Sequence, residues 1–137
     1  TGRGWGSVGG KQFGLERVRW DSTHMPMAIH HISLTKIGFD VHFTLPLDPD
    51  EGAKIDNYSI LEYEYQYRPQ YGSPKSKQKN MKPISVKLSK DRRVAHLSLP
   101  LAAEKVYQFN INRRIRSYAG APMVNRIAWY TANRLHK

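Results

Sequence analysis

Apolar and polar residues alternate at period two from Ala28 onward, and no stretch sustains the three-to-four-residue period of an amphipathic helix. A chain patterned this way folds as strands, each turning one face to a core. Ile32 and Leu34 alternate with Ser33 and Thr35. Past an Ile37-Gly38 turn, Phe39, Val41, Phe43 and Leu45 alternate with Asp40, His42 and Thr44, the clearest buried face in the chain. Pro46 to Asp56 (PLDPDEGAKID) reads as a polar connection of turn residues. A tyrosine-rich strand and turn follow from Tyr58 to Pro74, YSILEYEYQYRPQYGSP, then a lysine-rich loop, KSKQKNMKP. Ile84, Val86 and Leu88 form a hairpin with Ala95, Leu97 and Leu99 across a Lys90-Asp91 turn. Tyr107, Phe109 and Ile111 alternate with Gln108, Asn110 and Asn112, and after the SYAGAP turn a last strand runs from Ile127 to Leu135 with Trp129 and Tyr130.

Seven or so strands spaced by turns predict an all-β, antiparallel sandwich of two sheets, with a small barrel as the alternative closure. Tyr107 stands at a strand entrance after Leu101 and a short corner, a place where sandwiches bond a tyrosine hydroxyl back to the preceding backbone. A chain of 137 residues suits one such domain. No run approaches the ~18 apolar residues of a membrane helix, and no signal-peptide pattern is present. The first residue is Thr1 rather than Met, so an excised domain or processed chain is expected. The absence of cysteine excludes disulfides, thiolate metal sites and cysteine nucleophiles while leaving the compartment open.

The first fourteen residues, TGRGWGSVGGKQFG, hold six glycines and read as an irregular arm. A phosphate-binding loop fails there, because Trp5 stands where the first glycine is required and Gln12 where Ser or Thr would hold magnesium. Leu15 to Trp20 is a short strand at most, since Leu15 is out of step with Val18 and Trp20.

The tyrosine strand poses a parity problem. If Tyr58 and Ile60 point inward, strict alternation also turns Glu62 and Glu64 inward, which is costly without partners. A bulge near Ile60-Leu61 is therefore expected, placing Leu61, Tyr63, Tyr65 and Tyr67 on one face. That face is either core or domain interface, or an exposed aromatic ribbon of the kind that stacks on sugar rings.

Charge is unevenly spread over a formal net +11. Residues 70–93 hold eight Lys or Arg against Asp91, residues 105–137 hold seven against no carboxylate, and residues 47–69 hold six carboxylates against Lys54 and Arg68. Such a surface attracts polyanions, whether nucleic acid, acidic polysaccharide or an anionic membrane. Lys75, Lys77, Lys79, Arg113, Arg114 and Arg116 are the electrostatic candidates, against the plainer role of charged edges that resist aggregation. No catalytic constellation emerges. His24, His30, His31, His42, His96 and His136 lack metal-ligand spacing, although cross-strand pairing brings some strand histidines together. Glu62 and Glu64, about 7 Å apart on one strand face, are compatible with glycoside hydrolysis, but charged alternation on a solvated face explains them more simply. Asn57-Tyr58-Ser59 matches the N-glycosylation pattern, with Tyr58 better explained as an inward strand residue.

GFDVHFTLPLD, DEGAKIDNYSI, VAHLSL, KVYQFNI and RSYAGAPM, in that order, resemble bacterial immunoglobulin-like domains. More narrowly, GWGSVGGKQFGLERVRW, HHISL and YEYQYRPQYGSP resemble the segment that follows the propeller of glucose/sorbosone dehydrogenase-like proteins in large secreted multidomain polypeptides. The resemblance implies an immunoglobulin-like or fibronectin-III-like sandwich from residue 25 to 137. Residues 1–24 would be an arm and linker strand of an upstream domain, in an extracellular or periplasmic setting. Any redox chemistry would belong to the absent propeller or a haem domain, so neither enzymatic activity nor a cofactor or metal is expected here. Such modules carry acidic residues after YGSP, whereas Lys75, Lys77 and Lys79 follow here, which favours an anionic partner. The expected function is binding of an extracellular polysaccharide, acidic ones included, with Tyr63, Tyr65, Tyr67 and Tyr71 stacking and Lys75, Lys77 and Lys79 neutralising charge. A spacer docked on a neighbouring domain is the second expectation, and nucleic-acid binding the third.

Overall fold

The computed structural model describes residues 17–21 and 23–136. These residues form β1 (Met27–Leu34), β2 (Gly38–Phe43), β3 (Tyr58–Tyr65), β4 (Lys75–Met81), β5 (Ser85–Leu88), β6 (Val94–Ser98), β7 (Lys105–Ile111), β8 (Met123–Asn125) and β9 (Ile127–Ala132). One helical turn, α1 (Pro49–Gly52), and a 3-10 turn at Ile55–Asn57 interrupt them. The strands make a five-stranded sheet in the order β5-β6-β2-β1-β8 and a four-stranded sheet in the order β4-β3-β7-β9. All pairings are antiparallel except β1 with β8. The predicted sandwich is therefore present. The glycine arm and its phosphate-loop alternative lie outside the described residues, and 17–20, the described part of the predicted Leu15–Trp20 strand, has no strand structure.

The inward residues of each strand meet as alternation requires. Phe39 of β2 is fully buried, its ring centroid 5.0 Å from Tyr107, 5.1 Å from Phe109 and 5.3 Å from Tyr130. Offset and edge-on rings at such distances add to the burial term and tie the two sheets together. Val41, Leu97, Tyr58, Ile60 and Ile111 extend the same core. Gly38 opens β2 where it passes close to β6: a Cβ there would lie 1.8 Å from the Leu97 carbonyl oxygen. The Tyr107 hydroxyl accepts from the Ala102 N–H at 2.8 Å and donates to its carbonyl at 3.2 Å, the expected corner bond.

The polar connection contains more order than its composition shows. Asp48 caps α1 by accepting from the N–H groups of Asp50 and Glu51, and Pro49 occupies the first helical position, where its missing N–H costs nothing. The stretch from Lys75, expected as a loop, is the edge strand β4. Only Met81 of its residues is buried, so no apolar alternation announces it.

The strand β3 keeps strict alternation, contrary to the bulge expected near Ile60-Leu61. It pairs with β7 without interruption from Tyr58↔Ile111 to Tyr63↔Val106. Directly opposed residues share a face, and Glu62 lies opposite the core residue Tyr107. The register shift lies instead on the β4 side, between Glu62↔Lys79 and Glu64↔Ser76, where Lys77 takes a left-handed backbone (φ 49°). Partners make the inward parity of the two glutamates tolerable. Glu62 sits beside the Tyr107 hydroxyl, whose pKa burial, with Glu62 adding to it against the Ala102 backbone bond, pushes up to about 12. Glu64 is paired by Lys105 and by Lys77, the latter at 2.9 Å.

Candidate functional site

The outer face of the four-stranded sheet carries Leu61, Tyr63 and Tyr65 from β3, Val106, Gln108 and Asn110 from β7, and Ile127, Trp129 and Thr131 from β9, set side by side by the register. Lys75 of β4 lies opposite Tyr65 and joins them. Its ammonium stands 4.6 Å from the Tyr63 ring centroid and donates to Gln108 Oε1 at 2.6 Å. Trp129 Nε1 donates to the same oxygen at 3.3 Å, and Gln108 Nε2 donates to Asn110 Oδ1 at 3.2 Å. One bonded row thus spans the sheet from Lys75 through Tyr63 and Gln108 to Trp129.

Tyr63 is buried within this row, its ring edge-on to Tyr65 at 5.1 Å and the two hydroxyls 3.1 Å apart. Burial, with help from the Tyr65 hydrogen bond, pushes its pKa up to about 12, so the hydroxyl stays protonated at neutral pH. Tyr65 and Trp129 keep 54% and 58% of their surface exposed. Two flat rings bracketing amides and an ammonium have what a sugar requires: apolar planes for C–H faces and polar groups for hydroxyls. Glu62 and Glu64 have the opposite parity, so the cation on this face has no carboxylate of β3 beside it.

The seven residues expected to bind together are divided by the fold. Tyr63, Tyr65 and Lys75 share the outer face. Tyr67 and Tyr71 lie beyond β3 in the 66–74 hairpin loop, fully exposed and off the sheet. Lys79 sits opposite Glu62 on the other parity, and Lys77 is already ion-paired with Glu64, because the β4 bulge separates both from Lys75. Sequence reasoning missed Gln108 and Trp129. The alternation of Gln108 and Asn110 with Tyr107 and Phe109 was the available signal that amides face outward here; the register that brings Trp129 beside them is a long-range property.

On the five-stranded sheet, cross-strand pairing does bring histidines together. A bulge between Ile29 and His31 sets His30 and His31 against His42; the His31 and His42 rings stack at 3.9 Å, and His30 Nδ1 lies 2.7 Å from His31 Nδ1. His96 Nδ1 lies 2.8 Å from Asp40 Oδ1. Among the described residues no group of three or more His, Cys, Asp or Glu is placed to hold a metal ion. Asn57 of the glycosylation pattern is buried, and its amide nitrogen donates to the Glu51 backbone and carboxylate, both at 2.8 Å, which leaves it engaged in the fold.

In class the molecule is a two-sheet β-sandwich with an aromatic and amide face turned outward. No protein-family model matches the chain, and no curated protein does. Solved structures of the bacterial S-layer protein SbsC are similar: that of rSbsC(31-844), at 20% identity and a TM-score of 0.58, covers 80% of this chain and 14% of that one. The structure of the SbsC N-terminal part matches with the same identity and score, this chain spanning 24% of its length, and that of SbsC domains 1–6 matches at 19% identity. At such identities the likeness establishes the fold. Among the described residues no helix is long and apolar enough to cross a membrane.

Proposed function

We propose that this chain is a noncatalytic accessory module of a larger secreted protein, extracellular or periplasmic, that binds a polysaccharide on the outer face of its four-stranded sheet. The observation that carries the proposal is the Lys75–Tyr63–Gln108–Trp129 row, in which the half-exposed rings of Tyr65 and Trp129 stand around bonded amides. The test is affinity electrophoresis through gels containing neutral, acidic or sulfated polysaccharides. Retarded migration is expected, and it should be reduced in Trp129→Ala and Tyr65→Ala while circular dichroism stays native. Unaltered migration across the panel sinks the proposal.

A second reading, a structural module docked against a neighbouring domain such as an upstream propeller, draws support from the likeness to S-layer protein domains, of which this chain spans only a fraction. Under it the same rings pack on protein. In a longer polypeptide Trp129 would then show blue-shifted fluorescence and no response to any glycan.

A further inference from the structure

A second site stands at the end of the sandwich where residues 112–122 cross α1. Along this segment Arg114, Arg116 and Tyr118 are exposed while Ile115 and Ser117, between them, are buried. The alternation is held by hydrogen bonds from the backbone of the segment and of its neighbours. The N–H groups of Arg114 and Ile115 return to Asn112, Asp48 N–H donates to the Arg116 carbonyl at 3.0 Å, and Tyr118 N–H donates to the Pro46 carbonyl at 2.7 Å. The Ser117 hydroxyl accepts from Ala121 N–H at 2.9 Å, and Gly120, at φ 85°, closes the turn. The two arginines are therefore anchored at their backbones on a rigid support, across a cleft of about 520 Å³ from Asp50 and Lys54. Arg92 adds a third guanidinium, 4.1 Å from the Tyr118 ring centroid.

Two of the three carboxylates that line the cleft, Asp48 and Glu51, are already engaged within the fold. Asp48 is committed to capping α1. Glu51 accepts from Lys54 and Asn57, which hold its carboxyl below the usual range with Arg114 contributing at longer reach. Only Asp50 remains without such a partner, and among the described residues no arginine is ion-paired with a carboxylate. We propose that Arg114 and Arg116 form an anion-binding cleft for the sulfate or carboxylate groups of an acidic glycan, separate from the aromatic face. Planar guanidinium groups suit such oxyanions because two parallel N–H donors match two oxygens. A nucleic acid fits less well, since the cleft presents a single ring, Tyr118, with Arg92 on one face of it, rather than the succession of rings on which bases stack.

The experiment is calorimetric titration of the whole chain with a heparin tetrasaccharide and with trigalacturonate at low ionic strength. Arg114→Gln/Arg116→Gln is compared with Lys36→Gln/Lys79→Gln, which lowers the net charge of +11 by the same two units elsewhere. At least about tenfold weaker binding of one or both probes is expected in the arginine pair alone, as for lost hydrogen bonds to charged groups. Retarded migration in neutral polysaccharide, which reports the aromatic face, should be unchanged in it. Equal losses in the two double variants, or none in either, overturn the site. So does tighter binding of oligodeoxythymidylate with the same dependence on Arg114 and Arg116. Both arginines are exposed, and a native circular dichroism spectrum separates lost binding from lost fold.

Discussion

The two sheets present chemically different faces to solvent. On the five-stranded sheet the outward residues of β1, β2, β5 and β6 are His31, Ser33, Asp40, His42, Ser85, Lys87, Val94, His96 and Ser98, with no Phe, Tyr or Trp among them, and several satisfy one another: His96 with Asp40, His42 near Ser33, His31 stacked on His42. On the four-stranded sheet the corresponding positions hold Tyr63, Tyr65, Val106, Ile127 and Trp129 around bonded amides. A solvated sheet face needs no large rings to be stable, as the first sheet shows. The half-exposed rings of the second face are therefore not required for a solvated sheet, and the proposed binding rests on that difference.

The largest effect should come from breaking what the faces share. Phe39 belongs to β2, whose outer side bears Asp40 and His42, yet its ring packs on Tyr107, Phe109 and Tyr130 of the other sheet. Phe39→Ala should cost about 3–5 kcal/mol in urea unfolding, in line with other buried phenylalanines. A loss below about 1 kcal/mol would mean the sheets are not joined through this cluster.

Removing rings from one face tests the contrast directly. Trp129→Ala and Tyr65→Ala should each weaken polysaccharide binding by roughly twofold to tenfold. His31→Ala and His42→Ala should leave it unchanged. Equal loss from both pairs would erase the distinction between the faces. A smaller change separates the corner from the platform: Tyr107→Phe strips the Ala102 N–H of its acceptor and should cost about 1 kcal/mol without altering binding. A binding defect in that variant would show that the corner at Ala102 reaches the ligand.

The two faces were unequally legible in the sequence. The seven strands with apolar alternation are all present, because a strand buried on one face must show that period. The strands β4 and β8 escaped it: β4 is an edge strand with one buried residue, and β8 is three residues long. Of the seven residues expected to bind together, Tyr63, Tyr65 and Lys75 share the outer face, but the parity of β3 was misjudged, since Glu62 and Glu64 find their partners in Tyr107, Lys105 and Lys77, far away in sequence or across a bulge. The histidine contacts depend on a bulge that alternation alone does not show.

The smallest predicted effect comes from pH. Burial first, then the charge on His31, hold the His42 pKa below the ordinary histidine value, with Asp40 pulling the other way. The unfolded chain takes up its proton near the ordinary value of 6.5 while the folded chain still resists, so between the two pKa values the unfolded state binds more protons and stability rises with pH. This contribution is fully present above pH 6.5 and is lost as pH falls through the folded value. His42→Gln should therefore flatten the acid limb of a plot of urea midpoint against pH, measured over about pH 5 to 8. Polysaccharide binding should stay level over the same range, because the outer positions of β3, β7 and β9 carry no histidine and Tyr63 titrates only near 12. Parallel stability profiles for the two proteins would remove His42 from the acid response, and a pH-dependent affinity that His42→Gln abolishes would join the two faces into one functional unit.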